Sequence, residues 1–260
     1  MTTMTIDGQQ LAVQDHGGDG PPVLLAHGFL MDHTMFDPQV EALRDRYRVI
    51  TFDQRGFGET PVTGPFTYWD SAADALGILD ALGIDQAVLG GMSQGGFLSL
   101  RAALTAPERV QALVLIDSQA GVEDPANLES YDTLHDVWMS QGPEPVQEAV
   151  ASIILGEGEW HDWYAKWAAL PRESFAYTYR CLMDRDDITD RIGEITCPTL
   201  LVHGTADAAI PIEKAEALRD GLGGPTTFVP IEGGSHASNL THPEPVNQAI
   251  VEFLDSLDLG

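Results

Sequence analysis

This 260-residue chain contains the sequence Ala87-Val88-Leu89-Gly90-Gly91-Met92-Ser93-Gln94-Gly95, which is the most informative segment for its fold. Residues 87–90 form a short apolar run that predicts a buried strand, and the small and apolar residues of 95–104 predict a helix. Ser93 therefore lies on a tight strand-to-helix turn, within the pattern G-x-S-x-G. A glycine-rich turn without function is the alternative, but the flanking strand and helix favour a nucleophilic serine at the positive end of a helix.

Apolar runs alternate with helical patterns over most of the chain. Continuous apolar strands separated by helices predict an α/β protein with a mostly parallel central sheet flanked by helices. Strands are predicted at 23–26, 48–52, 87–90, 112–116, 199–202 and 227–229, after a hairpin of 4–6 and 11–14 that turns at Asp7-Gly8. Helices are predicted at 36–43, 71–82, 95–104, 212–222 and 243–257.

The alternation stops between residues 118 and 195, where helical patterns continue without a convincing strand. We interpret this segment as a helical cap inserted into the sheet domain. The predicted domains are therefore a core made of 1–117 and 196–260, and a cap of 118–195.

A serine hydroxyl is a weak nucleophile until a base takes its proton. Two histidines follow the last predicted strand. His236 lies in a glycine-rich loop directly after that strand, whereas His242 lies at the start of the last helix. His236 is therefore predicted as the base.

The base in turn needs a carboxylate that fixes its tautomer and stabilises its positive charge. Asp207 follows the strand 199–202, and Asp117 ends the preceding strand. The chain order serine, acid, histidine and the placement of Asp207 in a loop favour Asp207. Asp117 is the alternative acid, or a polar residue that ends its strand.

Negative charge that develops on a substrate carbonyl oxygen needs donors already in place. The backbone N–H of Gln94, directly after the nucleophile, is one predicted donor. The backbone N–H of Phe29, in the loop after strand 23–26, is the second. His27 is interpreted as a structural residue that fixes this loop.

Four motifs in the same order resemble the α/β-hydrolase superfamily over nearly the whole chain. They are His27-Gly28-Phe29, Asp53-Gln54-Arg55-Gly56-Phe57-Gly58, Gly91 to Gly95, and His203 to Asp207 with His236. The chain is similar to small, cap-bearing bacterial members: serine carboxylesterases, non-haem haloperoxidase-like enzymes, enol-lactonases and carbon–carbon bond hydrolases. The resemblance implies that Asp53 and Arg55 brace loops around the site.

Two positions bear on which members of the superfamily the chain resembles. Members that transfer alkyl groups, such as epoxide hydrolases and haloalkane dehalogenases, carry aspartate at the nucleophile position, so Ser93 favours acyl transfer. Gln94 stands where many relatives carry methionine or leucine, which places a polar side chain near the oxyanion site.

The predicted cap contains four of the five tryptophans of the chain. Most of them are expected to pack in the cap, and one or two to line an apolar pocket. Trp138, Trp163, Leu30 and Met92 are the predicted substrate contacts. They indicate an uncharged, partly hydrophobic ester of modest size.

The composition sets further bounds. Forty acidic and thirteen basic residues give a net charge of −27, which disfavours nucleic acid and anionic membranes as partners. Two cysteines, no signal peptide and no long apolar run predict a cytoplasmic protein. No cluster of metal ligands and no cofactor motif is evident, so we expect neither a metal nor a cofactor.

The acidity of the chain has two explanations, a salty cytoplasm or a biased genomic composition. The oligomeric state is not indicated.

Three functions remain open on the sequence. The leading one is hydrolysis of a small-molecule carboxylic ester through an acyl-enzyme. The second is hydrolysis of a lactone or of a carbon–carbon bond, the latter with Arg180 or Arg185 holding a substrate carboxylate. The third is a catalytically inactive hydrolase fold that serves as a ligand receptor.

Overall fold

The computed structural model describes residues 1–259 and contains one eight-stranded sheet in the order β1-β2-β4-β3-β5-β6-β7-β8. The strands are β1 Thr2–Ile6, β2 Gln9–Asp15, β3 Pro22–Ala26, β4 Arg48–Phe52, β5 Ala87–Met92, β6 Val110–Ile116, β7 Thr199–Gly204 and β8 Thr226–Ile231. β1 and β2 form the antiparallel edge, and β2 also pairs antiparallel with β4. All other neighbours are parallel, so the mostly parallel sheet predicted from the sequence is confirmed.

Helices cover both faces of this sheet. They are α1 Asp37–Leu43, α2 Tyr68–Ala81, α3 Gln94–Thr105, α4 Leu128–Gln141, α5 Gln147–Ile154, α6 His161–Ala169, α7 Arg172–Met183, α8 Ile212–Gly221, α9 Ser238–Thr241 and α10 Pro243–Asp255. The predicted helices correspond to α1, α2, α3, α8 and α10, with shifts of a few residues at their ends. The short helix α9 was not predicted.

The strands β3 and β5 carry apolar side chains to both faces of the sheet. Val23 and Leu25 belong to one hydrophobic cluster, whereas Leu24 and Ala26 belong to the other. This arrangement explains why the strands appear in the sequence as continuous apolar runs, since both faces are buried under helices.

Helix α2 begins three residues before its predicted start because of its capping residues. The Thr67 side chain accepts a hydrogen bond from the Asp70 backbone N–H, and the Asp70 carboxylate accepts one from the Thr67 N–H. This capping box satisfies two N–H groups that a helix start otherwise leaves without partners.

Residues 118–195 contain helices α4 to α7 and short 3-10 turns, and no strand. Aromatic residues of this segment, among them Trp138, Trp163 and Trp167, join the same hydrophobic cluster as Val23 and Leu25 of β3. The helical content agrees with the predicted cap, while the domain boundaries stay a prediction.

Within residues 1–259, no helix combines the length and the apolar character needed to cross a membrane.

Candidate active site

Ser93 lies at the sharp turn between β5 and α3. Its φ is +51°, a left-handed conformation that non-glycine residues rarely adopt, and the residue is 6% exposed. A Cβ on Gly91 would lie 2.1 Å from the carbonyl carbon of Gly95, and a Cβ on Gly95 would lie 1.9 Å from the carbonyl oxygen of Ala26. The two glycines are therefore required by close backbone approaches on both sides of the serine.

His236 and Asp207 meet at the carboxyl ends of β8 and β7. The Nδ1 atom of His236 lies 2.8 Å from Oδ2 of Asp207, and both side chains are almost fully buried. The other oxygen, Oδ1, accepts hydrogen bonds from the backbone N–H groups of Ala209 and Ile210. The carboxylate is thus held in one orientation, with Oδ2 directed at the imidazole.

The charges of this pair stabilise each other. Burial alone raises the pKa of Asp207, but the charge of His236 and the hydrogen bond to it keep that pKa below its ordinary value. Burial alone lowers the pKa of His236, but the charge of Asp207 and the same hydrogen bond hold it above its ordinary value. The pair is therefore arranged to stabilise an imidazolium ion.

Asp117, the alternative acid, has a different set of partners. Its carboxylate accepts hydrogen bonds from the backbone N–H of Gly204 at 2.7 Å, and from the backbone N–H and hydroxyl of Ser238 at 2.9 and 2.6 Å. It thus connects the end of β6 to the end of β7 and to the chain two residues beyond His236. Burial and the nearby charge of Asp207 raise the pKa of Asp117 to about 7.

The alternative base, His242, is also placed elsewhere. Its Nδ1 atom lies 3.0 Å from the hydroxyl of Thr241, its neighbour in the chain. The histidine that faces Asp207 at 2.8 Å is His236, as the sequence predicts. The catalytic roles of Ser93, Asp207 and His236 stay predictions.

The two predicted oxyanion donors lie at the ends of β3 and β5. In the part of the chain that the structure describes, residues 1–259, neither the Phe29 nor the Gln94 backbone N–H donates to another protein group. For Gln94 this follows from its position as the first residue of α3, since the first N–H groups of a helix have no intrahelical acceptor. Both donors are thus available to a ligand.

His27 fixes the loop that carries Phe29. The Nε2 atom of His27 accepts a hydrogen bond from the Gln54 N–H, so Nδ1 carries the proton and donates to the Gly28 carbonyl at 2.8 Å. Burial lowers the pKa of His27, which keeps the ring neutral. These contacts agree with the structural role predicted for this residue.

The side chain of Gln94 is buried beside the nucleophile. Its Oε1 atom accepts a hydrogen bond from the Tyr68 hydroxyl at 3.0 Å. Its Nε2 atom is buried and has no partner within residues 1–259. The polar side chain expected here from the sequence therefore has a hydrogen-bond partner in the protein for only one of its two polar atoms.

The four predicted substrate contacts fall into two groups. Leu30 and Trp163 line a cavity of about 360 Å³ between α6 and the loop 56–62. Met92, directly before Ser93 in the chain, is buried, and its sulfur would lie 2.3 Å from a Cβ on Gly28. Trp138 is fully buried and stacks on Phe175 with ring centroids 4.4 Å apart, which is packing within the cap. All four contacts with substrate stay predictions.

Asp53 and Arg55 make contacts that agree with their predicted bracing of loops. Asp53 accepts hydrogen bonds from the backbone N–H groups of His33 and Glu59. Arg55 forms two hydrogen bonds with the Asp74 carboxylate, at 2.6 and 2.8 Å. The loops after β3 and β4 are thus tied together and to α2.

Two groups of residues have the composition of metal ligands, Asp32 with His33 and Asp53, and Asp117 with His203 and Asp207. The second group shares Asp207 with His236, and its Asp117 is already bound by three donors. His33 donates to Asp53 at 2.8 Å in the first group. Hydrogen bonds within the protein account for both clusters, and the sequence-based expectation of no metal and no cofactor stays a prediction.

Three residues around the site were missed by the sequence reasoning. Ser238 holds Asp117, Trp167 donates to the Leu30 carbonyl, and Lys166 binds Asp32. Ser238 lies two residues from His236, which was a usable signal. The cap residues Lys166 and Trp167 lie far from the loop in sequence, so no local pattern reveals them.

Comparisons with known proteins identify the family of the chain. A family model described as alpha/beta hydrolase fold matches residues 21–152, and one described as TAP-like protein matches residues 182–259. The protein belongs to the alpha/beta hydrolase family, which confirms the fold class and the resemblance stated from the sequence.

Three similar proteins span nearly the whole chain. The 3-oxoadipate enol-lactonase 1 of Acinetobacter baylyi is 28% identical, with 96% of this chain and 95% of that protein covered. A protein of Variovorax paradoxus named "Putative carbamate hydrolase RutD" is 31% identical, with 92% and 94% covered. The structure of a thermophilic esterase from Thermogutta terrifontis is 32% identical, with a TM-score of 0.88 and 98% of each chain covered. The family and these names support hydrolase activity.

Proposed function

We propose that this protein hydrolyses carboxylic esters through an acyl-enzyme, with Ser93 as nucleophile, His236 as base and Asp207 as acid. The observation that carries the proposal is the 2.8 Å contact between buried His236 and Asp207. It lies at the carboxyl ends of the parallel strands, where the strained Ser93 follows β5. Esterases, enol-lactonases and carbamate hydrolases all attack an acyl carbon, so the names of the similar proteins support this reaction class.

The reaction has two acyl-transfer steps. The Ser93 hydroxyl oxygen attacks the ester carbonyl carbon while Nε2 of His236 takes the hydroxyl proton. The N–H groups of Phe29 and Gln94 stabilise the oxyanion of the tetrahedral intermediate. The intermediate then loses the alcohol, which receives the proton from His236, and the acyl group remains on Ser93.

Water completes the cycle. His236 takes a proton from a water molecule, whose oxygen attacks the acyl carbon. The second tetrahedral intermediate releases the carboxylic acid, and the proton returns from His236 to the Ser93 oxygen. Asp207 stays ionised throughout and stabilises the imidazolium form of His236.

The two arginines considered as partners of a substrate carboxylate do not support an anionic substrate. Arg185 is buried and bound to the Gly121 and Leu182 carbonyls and to the Glu123 carboxylate, while Arg180 is exposed. Neither arginine is placed to hold a substrate carboxylate, which disfavours the carbon–carbon bond hydrolase. The net charge of −27 adds a field that repels anionic substrates.

A lactone is the second candidate substrate class, supported by the similarity to an enol-lactonase. A lactone is a cyclic ester, so the same steps open its ring, with the alcohol remaining attached to the acyl group. The receptor hypothesis is disfavoured because a protein that only binds ligands has no need of the strained serine and the buried Asp207–His236 pair.

The test compares a neutral ester, an anionic ester and a lactone with the purified protein and its Ser93→Ala variant. We expect turnover of p-nitrophenyl butyrate by the wild type, and weaker turnover when a carboxylate is placed at the end of the acyl chain. Ser93→Ala should lose at least roughly a thousandfold in kcat while keeping its far-UV circular dichroism. Equal activity of a folded Ser93→Ala variant would overturn the proposal. Faster opening of γ-butyrolactone than of any ester would move the assignment to lactones.

A further inference from the structure

A hydrogen bond joins the predicted cap to the loop that carries an oxyanion donor. The indole N–H of Trp167, in helix α6, donates to the backbone carbonyl of Leu30 at 2.7 Å. Trp167 is 1% exposed and Leu30 is 3% exposed, so water does not compete for this bond. A hydrogen bond in such an environment is stronger than one at the surface.

The carbonyl that Trp167 holds belongs to a strained turn. The Met31 N–H closes this turn by donating to the Gly28 carbonyl at 3.1 Å, and Leu30 lies at its third position with φ +61°. Glycine and asparagine are the residues that such a position favours, because a Cβ makes positive φ unfavourable. Leu30 therefore needs contacts from outside the turn to hold this conformation.

The turn sets the direction of the Phe29 N–H, the predicted oxyanion donor. The Leu30 carbonyl and the Met31 N–H belong to one peptide unit, and the Gly28 carbonyl and the Phe29 N–H belong to another. The hydrogen bond from Met31 to Gly28 therefore links the peptide that Trp167 holds to the peptide that carries the donor. Oxyanion donors act over a narrow range of distance and angle, so a small displacement weakens them strongly. Whatever fixes Leu30 also fixes this donor.

The residue before Trp167 binds the same loop. The ammonium group of Lys166 lies 2.8 Å from the Asp32 carboxylate and 2.6 Å from the Thr34 hydroxyl. Two consecutive residues of α6 thus hold residues 30–34 at separate points. The first turn of α6 also carries Trp163, whose ring lies 4.3 Å from the Lys166 ammonium group.

We propose that Trp167 is a positioning residue for the oxyanion hole, which holds the Leu30 carbonyl and thereby orients the Phe29 N–H. Docking of α6 on the loop then completes the site. This inference rests on the proposed ester hydrolysis and adds a group outside the Ser93, His236 and Asp207 set.

The chain offers a matched control in Trp160, which also lies in the predicted cap and packs against the same hydrophobic cluster. Its indole N–H donates to the Gly156 carbonyl at 3.2 Å, a contact within the cap. Trp167→Phe and Trp160→Phe therefore each remove an indole N–H and one hydrogen bond to a carbonyl. Only Trp167→Phe removes a hydrogen bond to the turn.

The experiment measures kcat and KM of both variants on p-nitrophenyl butyrate. It also measures their affinity for a trifluoromethyl ketone whose chain length matches the acyl group of this ester. This ketone forms a tetrahedral adduct with a serine oxygen and places an oxyanion in the hole. We expect Trp167→Phe to lower kcat by roughly tenfold to a hundredfold, with KM nearly unchanged. The ketone affinity should fall by a similar factor, while the non-fluorinated ketone binds as before. Trp160→Phe should stay within about threefold of wild type in all of these measurements.

Replacement of Trp167 by 3-benzothienylalanine keeps the ring shape and exchanges the N–H for sulfur. This replacement is used if Trp167→Phe does not fold, and we expect it to lower kcat and ketone affinity by the same factors. Unchanged kcat and ketone affinity in a folded variant at Trp167 would overturn the positioning role, and so would equal losses in Trp160→Phe. Absence of ester hydrolysis by the wild type would instead contradict the proposed function.

Discussion

Exchange of Asp207 for asparagine tests how the acid acts on the base. In the wild type, Oδ1 of Asp207 accepts two backbone N–H groups and Oδ2 accepts from Nδ1 of His236 at 2.8 Å. An asparagine oxygen can keep only one of these positions. The two backbone donors, from Ala209 and Ile210, fix that oxygen at the Oδ1 position, so the amide NH₂ faces His236.

The consequence is a change of tautomer. An NH₂ group cannot accept from Nδ1, so the neutral imidazole carries its proton on Nε2 and cannot take the proton of Ser93. The loss of the carboxylate charge also removes the stabilisation of the imidazolium. Together these effects predict a loss of about 10⁴-fold in kcat, equivalent to about 5 kcal/mol of activation free energy.

Asp117→Asn serves as the comparison because Asp117 binds Gly204 and Ser238 and makes no hydrogen bond to His236. We expect it to retain kcat within about tenfold of wild type. The assay is steady-state hydrolysis of p-nitrophenyl butyrate from pH 5 to 9, with the thermal midpoint measured for each variant. A larger loss in Asp117→Asn than in Asp207→Asn would refute the assignment and give the acid role to Asp117.

We expect four further outcomes. The acid limb of kcat/KM should have its midpoint above about 6.5, because the charge of Asp207 raises the pKa of His236 and only its neutral form acts as base; a midpoint below that value would contradict this. Asp117 has a raised pKa of about 7, so the folded state binds its proton more tightly than the unfolded state. The stability contributed by protonated Asp117 is therefore lost as pH rises from about 4 to about 7. The thermal midpoint of Asp117→Asn should fall less than that of wild type over this pH range. Parallel plots of thermal midpoint against pH for the two proteins would contradict this. Gly95→Ala should lower the free energy of unfolding by about 1–3 kcal/mol or more because of its 1.9 Å approach to Ala26, while Gly64→Ala, with no atom within 4 Å of the new Cβ, should be nearly neutral; chemical denaturation compares the two. If the net charge of −27 is a salt adaptation, the thermal midpoint should climb up to about 1 M potassium chloride and not in a sugar of matched osmolality; a flat or falling midpoint would leave compositional bias as the explanation.

Local sequence patterns predicted the parallel strands of the sheet well and the ends of some elements less well. The continuous apolar runs of β3 to β7 identified the parallel sheet, because each strand is buried on both faces. The start of α2 was misplaced by three residues because the Thr67–Asp70 capping box was not recognised. The edge strand β8 was predicted too short, since its exposed and half-buried residues lack a continuous apolar pattern.

The candidate site was predictable where each residue directly follows a strand. Ser93, Asp207 and His236 follow β5, β7 and β8, and parallel strands bring their carboxyl ends to one edge of the sheet. The contacts made by the cap were not predictable in this way. The bond from Trp167 to Leu30 joins residues 137 positions apart, and nothing in either local pattern indicates it.

Covalent labelling determines whether Ser93 is the nucleophile of ester hydrolysis. The protein is incubated with diethyl p-nitrophenyl phosphate, which transfers its phosphoryl group to an activated serine, and the modified peptide is identified by mass spectrometry. We expect one stoichiometric modification, on Ser93, that abolishes ester hydrolysis. It should be absent from Ser93→Ala and strongly slowed in His236→Ala. Loss of activity with the label on another residue, or full ester hydrolysis by a protein labelled at Ser93, would contradict it.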